Sequence, residues 1–437
     1  MSVPIFYIMM AIRSFFEYKL YVNDFKRDLQ YFKFCAYGFL KNQRFFEPFM
    51  VLFFLEKGLS FFQIGLLVTT REFVQNLLEI PSGIMSDSIG RRKTMIGAFT
   101  LYIAAFMIFY FSQDYRFFFV AMACYATGDA FRSGTHKAMI YEYLRIKGWQ
   151  KYKVDYYGHT RSWSQFGSAV SSLLAVVIVF FSGNYSTIFI VAVVPYVLDL
   201  ILMISYPREL DSTGYSDSCE NSSIRLISTA KISIGTMRNS VTRKAMVNSV
   251  LYSSPFKITK DYYQPVLAAL AAGIAVHLHS CREEQISAVL IGIMYFALYI
   301  GTAWASRNAK RLSERYSNLA LFLNRSLLTG LMFFFAVGAV FVLPYPWRWV
   351  VILPFTAIYF MENLRRPVGV AYISETFAPG VMATILSVES QFRSLGAALL
   401  APIFGLLADK FGIASAFMLL AVILVLLYPL AKLGNKY

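Results

Sequence analysis

Cysteine is scarce in this 437-residue chain: Cys35, Cys124, Cys219 and Cys281 are scattered, with no CxxC spacing. That argues against a disulfide framework and a cysteine metal site, and no metal or cofactor is expected. No Walker-type phosphate loop occurs, so ATP-driven work is not expected. No nucleophile–base constellation stands out, which argues against an enzyme. No basic residue precedes the first apolar run, "MSVPIFYIMMAI", and no clear cleavage site follows it. Residues 1–28 therefore read as an interfacial segment and not as a signal peptide.

Apolar residues are abundant, at 57% of the chain, with a mean hydropathy of +0.53. A soluble protein cannot hide that much apolar surface, so the class is an all-α, multi-pass membrane protein. Twelve apolar intervals predict spans at approximately 29–55, 61–86, 94–112, 117–144, 162–182, 186–206, 245–270, 284–306, 317–343, 347–365, 383–408 and 413–433. The formal net charge of +16 tracks the loops, so it reads as a topology signal and not as a nucleic-acid surface. Arg91 to Lys93, Arg145 to Lys153, Arg208 to Lys244, Arg307 to Arg315 and Arg365 with Arg366 all fall on one side. That side is expected to be cytoplasmic and to hold both termini. The polar stretch 207–244 reads as a linker, with a surface helix near Ile227. It separates a first bundle, 29–206, from a second, 245–437.

After the second span stands "GIMSDSIGRRK", Gly83 to Lys93. It resembles the G-x-L-x-D-x-x-G-R-[RK]-[RK] signature of the major facilitator superfamily, at the position that family gives it. The resemblance implies two six-helix bundles related by a pseudo-twofold, probed by one substrate from two sides in turn. It also implies a conformational latch, carried here by Gly83, Asp87, Gly90 and Arg91. Gly83 is expected to let two helices approach, and Asp87 to accept hydrogen bonds from a helix start and from arginine. The matching loop of the second half, "GTAWASRNAKR" from Gly301, lacks the acid. A closer match, "GLLADKFG" from Gly405 to Gly412, lies on the predicted outer side and is not taken as the latch. Span five lacks the Gly-Pro of many multidrug antiporters in that family. "GDAFRSGTHKAMIYEYL", Gly128 to Leu144, also resembles little-characterised bacterial members.

Charge appears where lipid should be. "KNQRFFEP", Lys41 to Pro48, lies at the middle of the first span, and a charge at that depth costs about 2.5–3.5 kcal/mol even on the lenient scale. As a continuous helix, Lys41, Gln43, Arg44 and Glu47 share one face, with Phe45, Phe46 and Phe49 facing lipid. Asn42 does not fit that division. Span two adds Arg71, Glu72, Gln75 and Glu79; span four adds Asp129, Arg132 and His136. Glu389 and Arg393 are spaced to pair. "KITKDYYQP", Lys257 to Pro265, echoes the opening stretch with one residue inserted. Pro48 and Pro265 are each able to kink their helix.

These features predict a secondary active transporter of a small polar solute, anionic or zwitterionic, that is proton-coupled and works by alternating access. Lys41, Arg44, Arg132, Lys257, Lys260 and Tyr262 are the candidate solute ligands. Glu47 and Asp129 are the candidate proton carriers. The lipid bilayer is the remaining partner, nucleic acid is not one, and the protein is expected to be a monomer in the cytoplasmic membrane. The alternative is a proton-coupled multidrug efflux pump.

Overall fold

A computed structural model describes residues 27–211, 240–275, 282–376 and 379–434. The interfacial segment expected over 1–28 lies almost wholly outside the described residues, as does most of the linker with its surface helix.

Fourteen α-helices occur among the described residues: α1 Leu29–Leu40, α2 Met50–Glu56, α3 Phe61–Ile89, α4 Arg91–Phe111, α5 Tyr115–Arg132, α6 Thr135–Ile146, α7 Lys153–Ser182, α8 Thr187–Ile204, α9 Ser240–Thr259, α10 Tyr263–Ala275, α11 Glu283–Ser313, α12 Leu319–Phe341, α13 Ile352–Thr376 and α14 Pro379–Ala431. Each predicted interval contains helix, but α7 begins well before its interval, at Lys153, and α13 runs well past its own, to Thr376. α14 holds the last two, divided at Gly412, where φ is +80°. Polar residues in the short loops start the helices. Asp28 accepts from Tyr31 N–H, Asp114 from Arg116 N–H and Asn318 from Leu321 N–H, while Ser60 and Gln63 form a capping box.

Six helices, α4, α7, α8, α11, α12 and α14, contain stretches long and apolar enough to cross a membrane by length and composition. The others are broken, as α1/α2, α5/α6 and α9/α10 are, or bear charge. Among the charge-bearing ones, α3 carries Arg71, Glu72 and Glu79. Helix α13 carries Glu362, Arg365 and Arg366, so the two arginines expected in a cytoplasmic loop stand inside a helix instead. Arg365 is buried, and its guanidinium donates to Asn248 Oδ1 at 2.7 Å, Ser326 Oγ at 2.7 Å and the Leu323 carbonyl.

The packing repeats between halves. In the first half α1 packs on α7, α4 on α5 and α8, and α3 on α5. In the second, α9 packs on α14, α12 on α13 and α14, and α11 on α13. Advancing each span by six converts the first set into the second, which is the pseudo-twofold. The halves meet through α3 with α14 and through α7 with α11, and the same operation exchanges those two contacts.

The two ends differ. Away from the basic loops the halves are tightly joined: a Cβ on Gly65 would strike the Ala401 carbonyl, one on Gly405 the Phe61 carbonyl, and one on Gly292 the Val176 side chain. Toward the basic end, Gly83 of α3, Gly158 of α7 and Gly369 of α13 have nothing among the described residues within 4 Å of the same position. The far end is thus closed by contacts between the halves that these three glycines do not make at the basic end.

Candidate functional site

The opening stretch is not a continuous helix. α1 ends at Leu40, and only a 3-10 turn, Glu47–Phe49, precedes α2. The amides explain the stop. Asn42 Nδ2 donates to the Gly38 carbonyl at 2.7 Å, and Gln43 Nε2 donates to those of Phe39 at 3.2 Å and Gly167 at 3.3 Å. The Gly38 carbonyl near the helix end is thereby met by a side chain, and the Phe39 carbonyl takes the Gln43 amide besides the Asn42 N–H at 3.3 Å. Pro48 then sits in the first turn of the 3-10 segment, where its missing N–H is harmless. The break turns Phe45, Phe46 and Phe49 inward, and all three are buried. The expectation that they face lipid is overturned. Phe46 packs on Phe106, Tyr125 and Phe189 instead.

The seventh span is broken at the corresponding place, between Thr259 of α9 and Tyr263 of α10, by the 3-10 turn Lys260–Tyr262. The two breaks touch. Gln264, fully buried, donates from Nε2 to the Glu47 carbonyl at 2.9 Å and accepts from Val51 N–H at 2.8 Å. Lys260 lies 2.9 Å from Asp261 and 3.9 Å from Glu47. Arg44, in turn, lies 3.9 Å from Asp129.

Other charges are committed more firmly. Arg132 holds Asp129 at 3.0 Å and donates from Nε to Tyr102 OH, also at 3.0 Å. Tyr102 OH donates to Asp129 at 2.6 Å. Glu72, 1% exposed, takes Arg71 at 3.1 Å and the Lys257 ammonium from the other half. Lys257 also donates to Ser394 Oγ at 3.0 Å. A lone buried anion here would be very costly, so two cations and good geometry are needed to hold it. Glu389 and Arg393 pair at 3.4 Å. The Lys41 ammonium stands 5.6 Å from the Tyr37 ring centroid.

Two cavities adjoin these groups. The smaller is lined by Arg44, Glu47, Ser168, Ser171, Ser172 and Tyr299. Its walls come from both halves, and the buried Arg44 Nε has no hydrogen-bond partner among the described residues. The larger has Arg71, Asp261 and Tyr262 among mostly apolar neighbours. Tyr262 packs edge-on to Phe404 with ring centroids 4.7 Å apart. Thus Arg44, Glu47, Lys260 and Asp129 come together, Lys257 belongs to the Glu72 pair, and Tyr262 lines the other cavity.

The latch segment departs from expectation. Gly83 approaches no other helix, and Asp87 is 63% exposed with Arg91 at 3.4 Å. The backbone-capping role falls to Asp211, which accepts from Arg92 N–H at 2.8 Å. Its carboxylate occupies the space a Cβ on Gly90 would need, where φ is +110°. Arg92 reaches the last carbonyls of α8, donating to Met203 at 3.2 Å and Ile204 at 2.5 Å. Asp211 and Asp199 escaped the sequence reading, whereas Gln264 and Asp409 stood inside motifs that it singled out and were given no role. Only Asp199, an acid alone in an apolar run, carried a signal able to reveal it.

Residues 34–239 match the sequence profile of the Major Facilitator Superfamily. An uncharacterised MFS-type transporter of Bacillus subtilis (strain 168), YxaM, is 23% identical over 388 residues, spanning 87% of this chain and 89% of that one. The crystal structure of the nucleoside transporter NupG superposes with a TM-score of 0.73 at 13% identity, covering 93% of this chain and 97% of that chain. A D-xylose-proton symporter superposes with a TM-score of 0.61 at 13% identity, covering 92% and 96%. These structural likenesses establish a shared fold.

Proposed function

This chain belongs to the major facilitator superfamily, and we propose that it carries a small polar solute, anionic or zwitterionic, through the cytoplasmic membrane by proton-coupled alternating access. The basic end faces the cytoplasm in this reading, with both termini on that side. The observation that carries it is the small cavity between the halves. It sets Arg44, with an unpartnered donor, beside Glu47 and three serines of α7. An arginine fork suits a carboxylate or phosphate, and the neighbouring carboxylate suits an ammonium on the same solute. Lys260 completes a cationic side within reach of Glu47. Arg132 supports the site indirectly by holding Asp129.

Of the two expected proton carriers, Glu47 is the better placed, because its one ion-pair contact, with Lys260, is long at 3.9 Å. Asp129 is gripped by Arg132 and Tyr102. The larger cavity, lined by Met50, Phe54, Val68 and Met122, supports multidrug efflux as a second reading. Resistance assays in an efflux-deficient host separate the two.

The test is an uptake screen of anionic and zwitterionic solutes in proteoliposomes with an imposed pH gradient. Arg44→Gln is expected to abolish binding of the solute found. Glu47→Gln is expected to keep exchange and lose pH-driven accumulation. If both variants transport as the wild type does, the small cavity is not the site.

A further inference from the structure

Asp199 lies toward the basic end of α8, within the run "VVPYVLDLILMI". It is fully buried, and among the described residues no group donates a hydrogen bond to either of its carboxylate oxygens. The structure offers two cations that act on it, Lys41 from the end of α1 and Arg132 from the end of α5. Arg132 is already spent on Asp129 and Tyr102. Lys41 stands over the Tyr37 ring. Helices α4 and α7 also pack on α8, and among the described residues they contribute no charged group that acts on Asp199.

The remaining neighbours are aromatic rings and hydroxyl groups. Tyr37 stacks on His136 with centroids 3.5 Å apart, and His136 Nε2 lies 3.3 Å from Tyr206 OH. Tyr196 OH donates to the Lys41 carbonyl at 3.2 Å. A carboxylate without donors in such a place is far more costly than a neutral acid, and the group takes up a proton instead of remaining charged.

We propose that Asp199 is a proton-binding site separate from Glu47 and Asp129, loaded in this far-end-closed state and unloaded against the Lys41 ammonium. It deepens the proton-coupled reading above and takes its role in transport from it. On unloading, the carboxyl O–H bond breaks and the proton passes to water on the basic-end side. The carboxylate left behind pairs with the Lys41 ammonium, which no carboxylate among the described residues holds in this state. The pairing pulls on the residue next to the break in the first span, so the charge state of Asp199 is felt where Arg44 and Glu47 bind solute.

Infrared difference spectra of the purified protein in liposomes, recorded between mildly acidic and alkaline pH, test this without any solute. The wild type is expected to show the carbonyl band of a protonated carboxyl at neutral pH, and Asp199→Asn, which mimics the loaded form and keeps the fold, to lack it. Lys41→Gln is expected to move the loss of that band upward by roughly one pH unit or more, because the cation that receives the carboxylate is gone. Coincident wild-type and Asp199→Asn spectra overturn the site. An unchanged titration in Lys41→Gln overturns the exchange with Lys41. If the wild type accumulates no solute under a pH gradient, the transporter reading fails while these spectra still decide Asp199.

Discussion

Gly83 to Gly90 and Gly405 to Gly412 share one pattern, a glycine, an acid four residues on and a second glycine three further. Their surroundings are opposite. At the far end, Gly405 lies against Phe61, and both oxygens of Asp409 accept backbone N–H groups from the first turn of α3, Phe61 and Phe62, each at 2.8 Å. Those donors are unpaired in any helix start, and the helix dipole adds to the attraction. At the basic end, among the described residues, Gly83 has nothing within 4 Å of where a Cβ would stand and Asp87 reaches only its own neighbour Arg91. The two segments differ in what faces them. A glycine that permits approach and an acid that caps a helix have work only when the other half is present. The far-end copy, set aside in the sequence on grounds of topology, is the engaged one here.

Three experiments bear on that contrast, in falling order of effect. Asp409→Ala removes two charge-assisted hydrogen bonds worth about 1.5–3 kcal/mol each at most. It should shift the population away from this far-end-closed state by roughly tenfold or more. Spin-label distances across the basic end read the change, and an unaltered distribution would mean that Asp409 does not hold the far end shut. Gly405→Ala forces a methyl group into the Phe61 carbonyl and should loosen the same contact at a cost of about 1–3 kcal/mol, whereas Gly83→Ala should stay within about 0.5 kcal/mol. Equal melting shifts for the two would erase the distinction between the ends. Asp87→Asn should have the smallest effect on this state, since an exposed pair contributes about 0–1 kcal/mol. Its effect should appear as slower turnover with normal membrane insertion. Wild-type turnover would take Asp87 out of the cycle.

Much of the fold was legible from the chain because hydropathy alone marks segments that must leave water. The twelve intervals and the short polar turns follow from it. The breaks at Lys41 to Phe46 and Lys260 to Tyr262 were not legible, because a helical face drawn through them assumes the ladder of hydrogen bonds continues. Asn42, the residue that did not fit, was the sign that it stops. The charged centre was visible by depth, but its pairing was not. Glu72 and Lys257 are 185 residues apart, and Gln264 is 213 from Val51, so nothing local links them. Asp211 looked like an ordinary loop acid until the helix start it caps was in place.

Gln264 carries one more consequence. Its amide serves as main chain for the first span, meeting a carbonyl and an N–H that the break left without partners. When the far end opens, those two groups separate from it and are stripped bare in an apolar wall. Each costs about 1–3 kcal/mol unless something replaces the amide. Water is the available replacement, so opening and wetting must occur together. The rate of exchange at that end should then respond to osmolytes that withdraw water, a sensitivity set by one uncharged side chain and by none of the ions around it.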